Sequence, residues 1–586
     1  MGAAGADAIE SHAVEYFQQR HPMVPTSAVS MTDILLIQPP IHDYYFTAKR
    51  SIPYGLACIA GALEDAGFSV RIVDALATHR SRSAEPPPAL SYLSGIYGPP
   101  DRSPFGLFST YRRFGYSGEH IRKLIQRNPP FLVGISSLFT PYEKDALDMA
   151  DLVRVTLPEC HIVMGGHHPT QFPERMLSHP SVDFVLRGDG ELSMPELAHA
   201  LIRRRPVSSV PGVCFRKPGT GLHISNPAYL TDLSVLPLPA THLLETGHYR
   251  RKHRQSHVVV SSRGCPMNCS YCCMGRHGSV PYRRRSVASV LEEIEAAAQS
   301  GNIGFIDFED ENLTLDRRWC LSLLNALRKR FPQNPPELRA MNGLHPATLD
   351  DELVSAMAEA GFKTLNLSIG STHEVQQDRF GRACDTEAVD RCIDIARRVG
   401  MTCVGYIIAG APLQCPETSV DDLIYMAQRR ILCGLSIYYP APGSRDFDRC
   451  RRLGVLPASI EQMRSSALPV SHTTTRVDAA TLLRLSRLIN FMKHLLDIGK
   501  GIPAPTAPPP SDVRPTLPID RTDLGALLLS WFLHDAGIRG VAPGHLVVNH
   551  RINPDLARRL LTGIQDRRIH GVNGFSGSRL PGWVGE

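Results

Sequence analysis

The chain lacks the features that mark a secreted or membrane protein. No apolar run reaches the roughly 18 residues of a membrane span. The best candidate, residues 524–533, reads more simply as a buried helix. The N-terminus carries no basic segment followed by an apolar core, so no secretory leader is expected. The 14 cysteines are spread widely, unlike the dense cysteines of a short disulfide scaffold, and reduced thiols in the cytoplasm are the expectation. Neither charge sign dominates: the net charge is +6 and the pI about 8.6. The basic residues stand in short groups such as Arg203-Arg204-Arg205 and Arg283-Arg284-Arg285. These read as solvated faces, so no nucleic-acid partner is expected.

What is present suits a multidomain globular protein. At 586 residues there is room for two to four domains. The content of 43% hydrophobic and 20% charged residues is ordinary for such a chain.

The most distinctive stretch is Arg263-Gly264-Cys265-Pro266-Met267-Asn268-Cys269-Ser270-Tyr271-Cys272-Cys273. Cys265, Cys269 and Cys272 stand at C-x3-C-x2-C spacing. A structural zinc site wants four protein ligands, and no second pair follows at finger spacing. A four-iron cluster held by three thiolates keeps one iron open for a substrate or cofactor. The spacing alone leaves both metals open. A β-branched strand over 256–262 ends in Gly264, which puts the cysteines on a loop at the mouth of a barrel. Cys273 reads as a structural thiol, because one loop rarely supplies ligands from successive residues.

Ahead of that stretch, residues 1–30 read as an N-terminal extension. Apolar strands are expected at 33–37, 70–74, 131–136, 161–166 and 183–186, with helices at 53–67, 142–156 and 191–204. Alternation with almost wholly apolar strands predicts a parallel, doubly wound sheet over 31–205. Ligands of such sheets bind beyond the carboxyl ends of the strands. The residues there are Ser136 and Ser137, then Gly165, Gly166, His167 and His168, then Gly188, Asp189, Gly190 and Glu191. Glycines let a backbone approach a bulky ligand closely. The adjacent histidines diverge and have no acidic or cysteine partner nearby, so a loop contact to cofactor or backbone is preferred to a metal role. A polar, proline-rich insertion covers 78–115, and residues 206–249 form a connector with a short hairpin after Val213.

Residues 250–455 repeat strand and helix six times, a partial (β/α)6 barrel of the TIM-like kind. Its later strands are expected at 303–308, 338–343, 364–370, 403–410 and 435–444. Glu309, Asp310, Glu311 and Asn312 follow the second strand. Binding of an ammonium or of ribose hydroxyls is favoured there over helix capping by Asp310 or Asn312. Residues 456–586 are mainly helical, with helices at 479–498, 524–533 and 554–564 and a proline-rich linker at 502–517.

These motifs, in this order, resemble the radical SAM superfamily, and specifically its B12-binding, cobalamin-dependent subclass of class B methyltransferase-like proteins. The resemblance spans roughly 30–455. It implies a [4Fe-4S] cluster on Cys265, Cys269 and Cys272, with S-adenosyl-L-methionine chelating the fourth iron. It puts Tyr271 near the adenine, Gly410 of the G-x-I-x-G-like element beside it, and Asp310 and Glu311 at the methionine end. Cobalamin would meet Ser136, Ser137, Gly165, Gly166, His167, Gly188 and Glu191. The stretch from Pro39 to Phe46 reads equally as a corrin contact or as a loop against the barrel domain. Two departures matter. The D-x-H-x-x-G motif that supplies a lower cobalt ligand is absent, and Ser371 stands where the family often has a ribose-binding glutamate. The implied reaction is methylation of an unactivated carbon of a small-molecule or natural-product substrate, with an electron donor such as flavodoxin or ferredoxin. A cyclisation, ring contraction or oxidation without methyl transfer is the alternative. A non-catalytic metal-binding protein is the reading from another class.

Overall fold

The structure is a computed structural model and describes residues 33–44, 52–219, 221–274, 280–510, 515–565 and 568–572. The extension 1–30, Tyr45 and Phe46, and 511–514 of the proline-rich linker lie outside the described residues. The chain forms two compact units, each discontinuous in sequence. The first takes Met1–Glu85, Arg112–Gly264 and Val280–Ile306; the second takes Pro86–Tyr111, Cys265–Ser279 and Asp307–Glu586. Compactness therefore cuts the chain differently from the boundaries read along the sequence.

In the first unit the elements run β1 (Ile34–Gln38), α1 (Tyr54–Asp65), β2 (Val70–Asp74), β3 (Leu132–Ser136), α2 (Glu143–Thr156), β4 (His161–Gly165), β5 (Phe184–Leu186), α3 (Gly190–Ile202), β6 (Val213–Arg216) and β7 (Leu222–Ile224). They build a seven-stranded sheet of order β7-β6-β5-β4-β3-β1-β2. Strands β1 to β5 are parallel. Ile34, Leu35, Leu36 and Ile37 are all buried, because helices cover both faces and each face has its own apolar core. The chain steps from β1 out to β2 and then back past β1 to β3. That reversal opens a crevice at the carboxyl ends of β1 and β3. One correction concerns the edge. The hairpin after Val213, read as connector, adds β6 and β7 antiparallel to the sheet.

The insertion 78–115 is not the loop its prolines suggest. Residues Ser81–Ser83 and Arg112–Phe114 pair with Ile41–Asp43 as a small antiparallel sheet in the first unit. Its middle belongs to the second unit, where Leu90, Leu93, Tyr97 and Phe105 are buried. There the buried Arg484 donates to the carbonyls of Phe105 at 3.0 Å and Tyr97 at 3.1 Å. A guanidinium has five donors and can satisfy such a turn, whose carbonyls find no ladder partner.

The barrel repeats run β8 (Arg254–Val259), α4 (Val287–Ser300), β9 (Ile303–Phe308), α5 (Arg317–Arg330), β10 (Glu337–Arg339), α6 (Asp351–Ala360), β11 (Thr364–Gly370), α7 (Glu374–Phe380), α8 (Thr386–Arg398), β12 (Thr402–Ala409), α9 (Pro416–Ala427), β13 (Leu432–Ile437) and α10 (Arg445–Arg452). In the second unit β11, β12 and β13 pair in parallel, and bridges Leu338–Phe362 and Leu344–Leu367 bring the β10 segment beside β11. Two strand limits are corrected. The strand expected over 338–343 ends at Arg339. The one expected over 435–444 starts at Leu432 and ends at Ile437, since Pro440 and Pro442 offer no amide to a ladder. Helix α5 is capped by Asp316, whose carboxylate accepts from the Trp319 amide at 3.0 Å. Capping by Asp310 or Asn312 is thereby overturned, and these residues sit in the loop between β9 and α5.

The C-terminal region carries α11 (Arg476–Asp497), α12 (Arg521–Asp535) and α13 (Pro554–Gln565). It also has an antiparallel hairpin, β14 (Arg539–Ala542) and β15 (Leu546–Asn549), that no sequence signal announced. Among the described residues no helix is long and apolar enough to cross a membrane.

Candidate functional site

The cysteine loop begins at a backbone constraint. Gly264 has φ +78°, and a Cβ there would stand 2.3 Å from the carbonyl oxygen of Pro281. Only glycine fits that turn.

Beyond it, residues of the second unit clamp the loop. The Ser270 amide donates to the Phe380 carbonyl at 2.8 Å, and the Asp446 amide donates to the Ser270 carbonyl at 2.8 Å. The Ser270 hydroxyl donates to the Asp446 carboxylate at 2.7 Å. Arg445 donates to the Asn268 carbonyl. Tyr271 packs edge-on against Phe380, with ring centroids 5.0 Å apart, inside an apolar cluster that includes Ala411 and Tyr438. The clamp therefore comes from the end of α7 and the start of α10.

Cys269 is buried, while Cys265, Cys272 and Cys273 are half-buried. Burial raises the Cys265 thiol above its ordinary pKa, and the charges of Cys269 and Glu311 add to the rise. Burial pushes Cys272 up to about 12, with Cys273, Cys269 and Cys265 adding to it. Among the described residues, no three His, Cys, Asp or Glu side chains converge tightly enough for a single metal ion. A cubane asks for something different. Each of its three thiolates sits on a separate iron, so the sulfurs stand apart around a corner of the cube. Three soft thiol donors on one pinned loop fit that group.

The other expected barrel residues lie as follows. Asp310 is buried and Glu311 half-buried. The carbonyls of Glu309 and Asp310 accept from the Asn342 side-chain amide at 2.9 and 3.4 Å. Gly410 has φ +80°, and a Cβ there would meet nothing closer than 3.8 Å. The backbone, not crowding, accounts for that glycine. The Ser371 hydroxyl donates to the buried Asp422 at 2.9 Å.

In the first unit the expected cofactor residues divide into two groups. Ser136 pairs with Gly165 across β3 and β4, and the Ser137 amide donates to the Gly165 carbonyl at 2.8 Å. Gly166, with φ +119°, lies against the Ser137 carbonyl, 2.6 Å from where its Cβ would be. The Ser137 hydroxyl is buried and has no hydrogen-bond partner among the described residues. A polar ligand group at the strand ends would satisfy it, so this cradle fits a corrin amide. His167 is exposed there, yet surrounding protein lowers its pKa by desolvation. His168 instead is buried, 2.7 Å from Glu143, which Arg175 also holds. It is a satisfied structural histidine.

Gly188 and Glu191 belong to the second group, which faces inward. Gly188 has φ +97°, and its Cβ would stand 2.0 Å from the Ala228 carbonyl oxygen. Gly188→Ala is expected to cost on the order of 3 kcal/mol, to be read as a lowered thermal midpoint. Glu191 is buried and ion-pairs with Arg263. Neither residue offers a free group to a ligand.

The fold also gathers residues that the sequence did not single out. Arg382 donates to the Cys269 sulfur at 3.6 Å, to the Met267 sulfur at 3.9 Å and to the Ser368 carbonyl at 3.0 Å. On β11, Leu365, Leu367 and Ile369 are fully buried, which leaves Asn366 on the opposite, inward face. There Asp307 pairs with Arg339 at 2.5 Å, and the Tyr406 hydroxyl donates to Asn366 at 3.0 Å. Asp307 Oδ1 and Asn366 Nδ2 are buried without hydrogen-bond partners among the described residues. The available signal was alternation: polar residues at these positions interrupt runs that are otherwise apolar.

A parallel, doubly wound sheet precedes strand–helix repeats that carry a three-cysteine loop, and known proteins share this order. Residues 259–418 match the family model of the Radical SAM superfamily, and 108–198 match that of the B12 binding domain. The chain is 27% identical over 328 residues to an uncharacterized methyltransferase of Pyrococcus horikoshii, covering 56% of this chain and 70% of that one. It is 26% identical over 425 residues to the cytidylyl-2-hydroxyethylphosphonate methyltransferase of Streptomyces wedmorensis, covering 67% and 75%. The radical S-adenosylmethionine methyltransferase TsrM of Kitasatospora setae, solved with cobalamin and a [4Fe-4S] cluster, shares the fold. Its TM-score is 0.53 at 19% identity, over 72% of this chain and 75% of that one. The chain thus carries a B12 binding domain and a Radical SAM domain, and it is an enzyme similar to cobalamin-dependent radical SAM methyltransferases. Its cofactors are S-adenosyl-L-methionine, a [4Fe-4S] cluster and cobalamin.

Proposed function

We propose that the enzyme methylates an unactivated carbon of a small polar molecule or natural product. The observation that carries this reading is the clamped loop that bears Cys265, Cys269 and Cys272, in a chain that also matches the B12 binding domain. Cys265, Cys269 and Cys272 hold the cluster. Tyr271 and Gly410 flank the adenine, and Asp310 and Glu311 receive the methionine end. Ser136, Ser137, Gly165, Gly166 and His167 cradle cobalamin, while Gly188 and Glu191 shape the turn behind it. In this reading 31–205, with the edge strands Val213–Arg216 and Leu222–Ile224 added to its sheet, serve cobalamin, 250–455 form the radical SAM core and 456–586 close it.

When bound, the cofactors supply the one-electron cleavage of the sulfonium and the methyl group. The protein's own work is to hold, orient and keep water out. Asp307 Oδ1 and Asn366 Nδ2 give this region a buried acceptor and a buried donor without hydrogen-bond partners among the described residues. A substrate with an amide, hydroxyl or amino group satisfies both, and this favours a polar substrate over a hydrocarbon. A flavodoxin or ferredoxin in the cytoplasm supplies the electron.

The test is one anaerobic preparation, reconstituted with iron and sulfide and incubated with methyl-labelled S-adenosylmethionine and a cell-extract small-molecule fraction. A brown protein with extractable corrinoid and label in a new product is the expected result. Accumulation of 5′-deoxyadenosine without product label would replace methyl transfer by a cyclisation, ring contraction or oxidation. A protein that takes up neither iron nor corrinoid would end the whole reading.

A further inference from the structure

We propose that Arg382 is a positioning residue for the iron–sulfur cluster, whose guanidinium donates to the Cys269 sulfur and so raises the cluster's reduction potential. The inference rests on the reading that Cys265, Cys269 and Cys272 are the cluster's ligands.

Two features of the side chain point to this role. First, it is braced. One terminal nitrogen is held on the Ser368 carbonyl of β11 at 3.0 Å, and the other is aimed at Cys269 at 3.6 Å. A donor fixed on a barrel strand keeps its direction when the loop moves. Second, it is a half-buried cation with no carboxylate partner. Among the described residues Arg382 makes no ion pair, and its Nε is buried without a hydrogen-bond partner. An uncompensated buried charge is costly. Among the described residues, its hydrogen bonds other than that to the Ser368 carbonyl end on the sulfurs of Met267 and Cys269. The balancing negative charge therefore has to come from the thiol loop, and it does so once the cysteines carry iron as thiolates.

The local chain geometry serves this placement. Helix α7 ends with Gly381 in the left-handed conformation, φ +59°. That turn sends Phe380 toward Tyr271 and Arg382 toward Cys269, so three successive residues form one side of the clamp. Reduction adds one electron from the donor protein to the cluster and moves no proton. The added negative charge is stabilised by a cation at a cluster sulfur, and hydrogen bonds to the sulfurs are among the levers that set such potentials.

The experiment uses the full chain, reconstituted anaerobically, with iron and sulfide assayed and the midpoint read by an EPR-monitored redox titration. Arg382→Met is expected to keep the wild-type iron content. It is expected to lower the reduced-to-oxidised ratio about tenfold at fixed potential, a shift of about 59 mV for one electron. Arg382→Lys keeps the charge without the guanidinium fork and should fall between the two. Should Arg382→Met lose its iron, the comparison passes to Arg382→Gln against Arg382→Lys, with the neutral variant expected lower. Equal midpoints in whichever pair is compared overturn the inference. A wild-type chain that builds no cluster overturns the cysteine assignment itself, which is a separate and visible outcome.

Discussion

Cys269→Ala is expected to leave the protein folded and without its cluster. The side chain is small and the loop keeps its other anchors: Ser270 on Phe380 and Asp446, and Asn268 on Arg445. Thermal unfolding should therefore change little, while iron after reconstitution drops from about four per chain to near none. Cleavage of S-adenosylmethionine should fall by more than the roughly 10–100-fold typical of losing an outer-shell partner, because a ligand itself is gone. Cys273→Ala is the matched control. Cys273 is also half-buried and its thiol is likewise raised by burial, yet it should keep wild-type iron. Iron and sulfide assays with circular dichroism decide the matter. Retained iron in Cys269→Ala, or lost iron in Cys273→Ala, would mean that the ligand set is misassigned.

The two motifs that carry the function were legible because their signals are local. Cysteine spacing lies within eight residues, and strands such as Ile34–Gln38 are wholly apolar because both faces of a parallel sheet are covered. The clamp was illegible for the opposite reason. Arg382 and Asp446 reach the loop from 113 and 176 residues away, and neither breaks any periodic pattern. Glu191 shows how position can mislead. It follows a strand end, where a ligand contact is the natural expectation, but Arg263 meets it inside the protein. The insertion 78–115 is polar and proline-rich along the sequence, yet its Leu90, Leu93, Tyr97 and Phe105 are buried. At Ser371, where the sequence departs from the family pattern, the hydroxyl is engaged by Asp422.

The same buried arginines lead to the second large effect. Asp189→Ala is expected to destabilise the first unit by about 3–5 kcal/mol, the usual cost of breaking a buried ion pair. Asp189 is buried and accepts from Arg263 at 3.0 Å, from Arg283, and from the Leu230 amide at 2.9 Å. Burial alone would raise its pKa, but Arg263 and Arg283 outweigh it and hold the carboxyl below its ordinary range. Without the carboxylate, Arg263 keeps Glu191, whereas Arg283 retains the carbonyls of Leu230 and Pro281 and loses its counter-charge. Asp189→Asn keeps the shape and removes only the charge, so it should show most of the loss. The sign with pH follows from the depressed pKa. The ion pair stabilises fully above the unfolded value of about 3.9 and fades as the pH falls through the lower folded value. The gap between wild type and Asp189→Asn in denaturant unfolding should therefore be wide at neutral pH and close below about pH 4. An Asp189→Asn protein as stable as wild type at neutral pH would show that Glu191 alone suffices to hold both arginines.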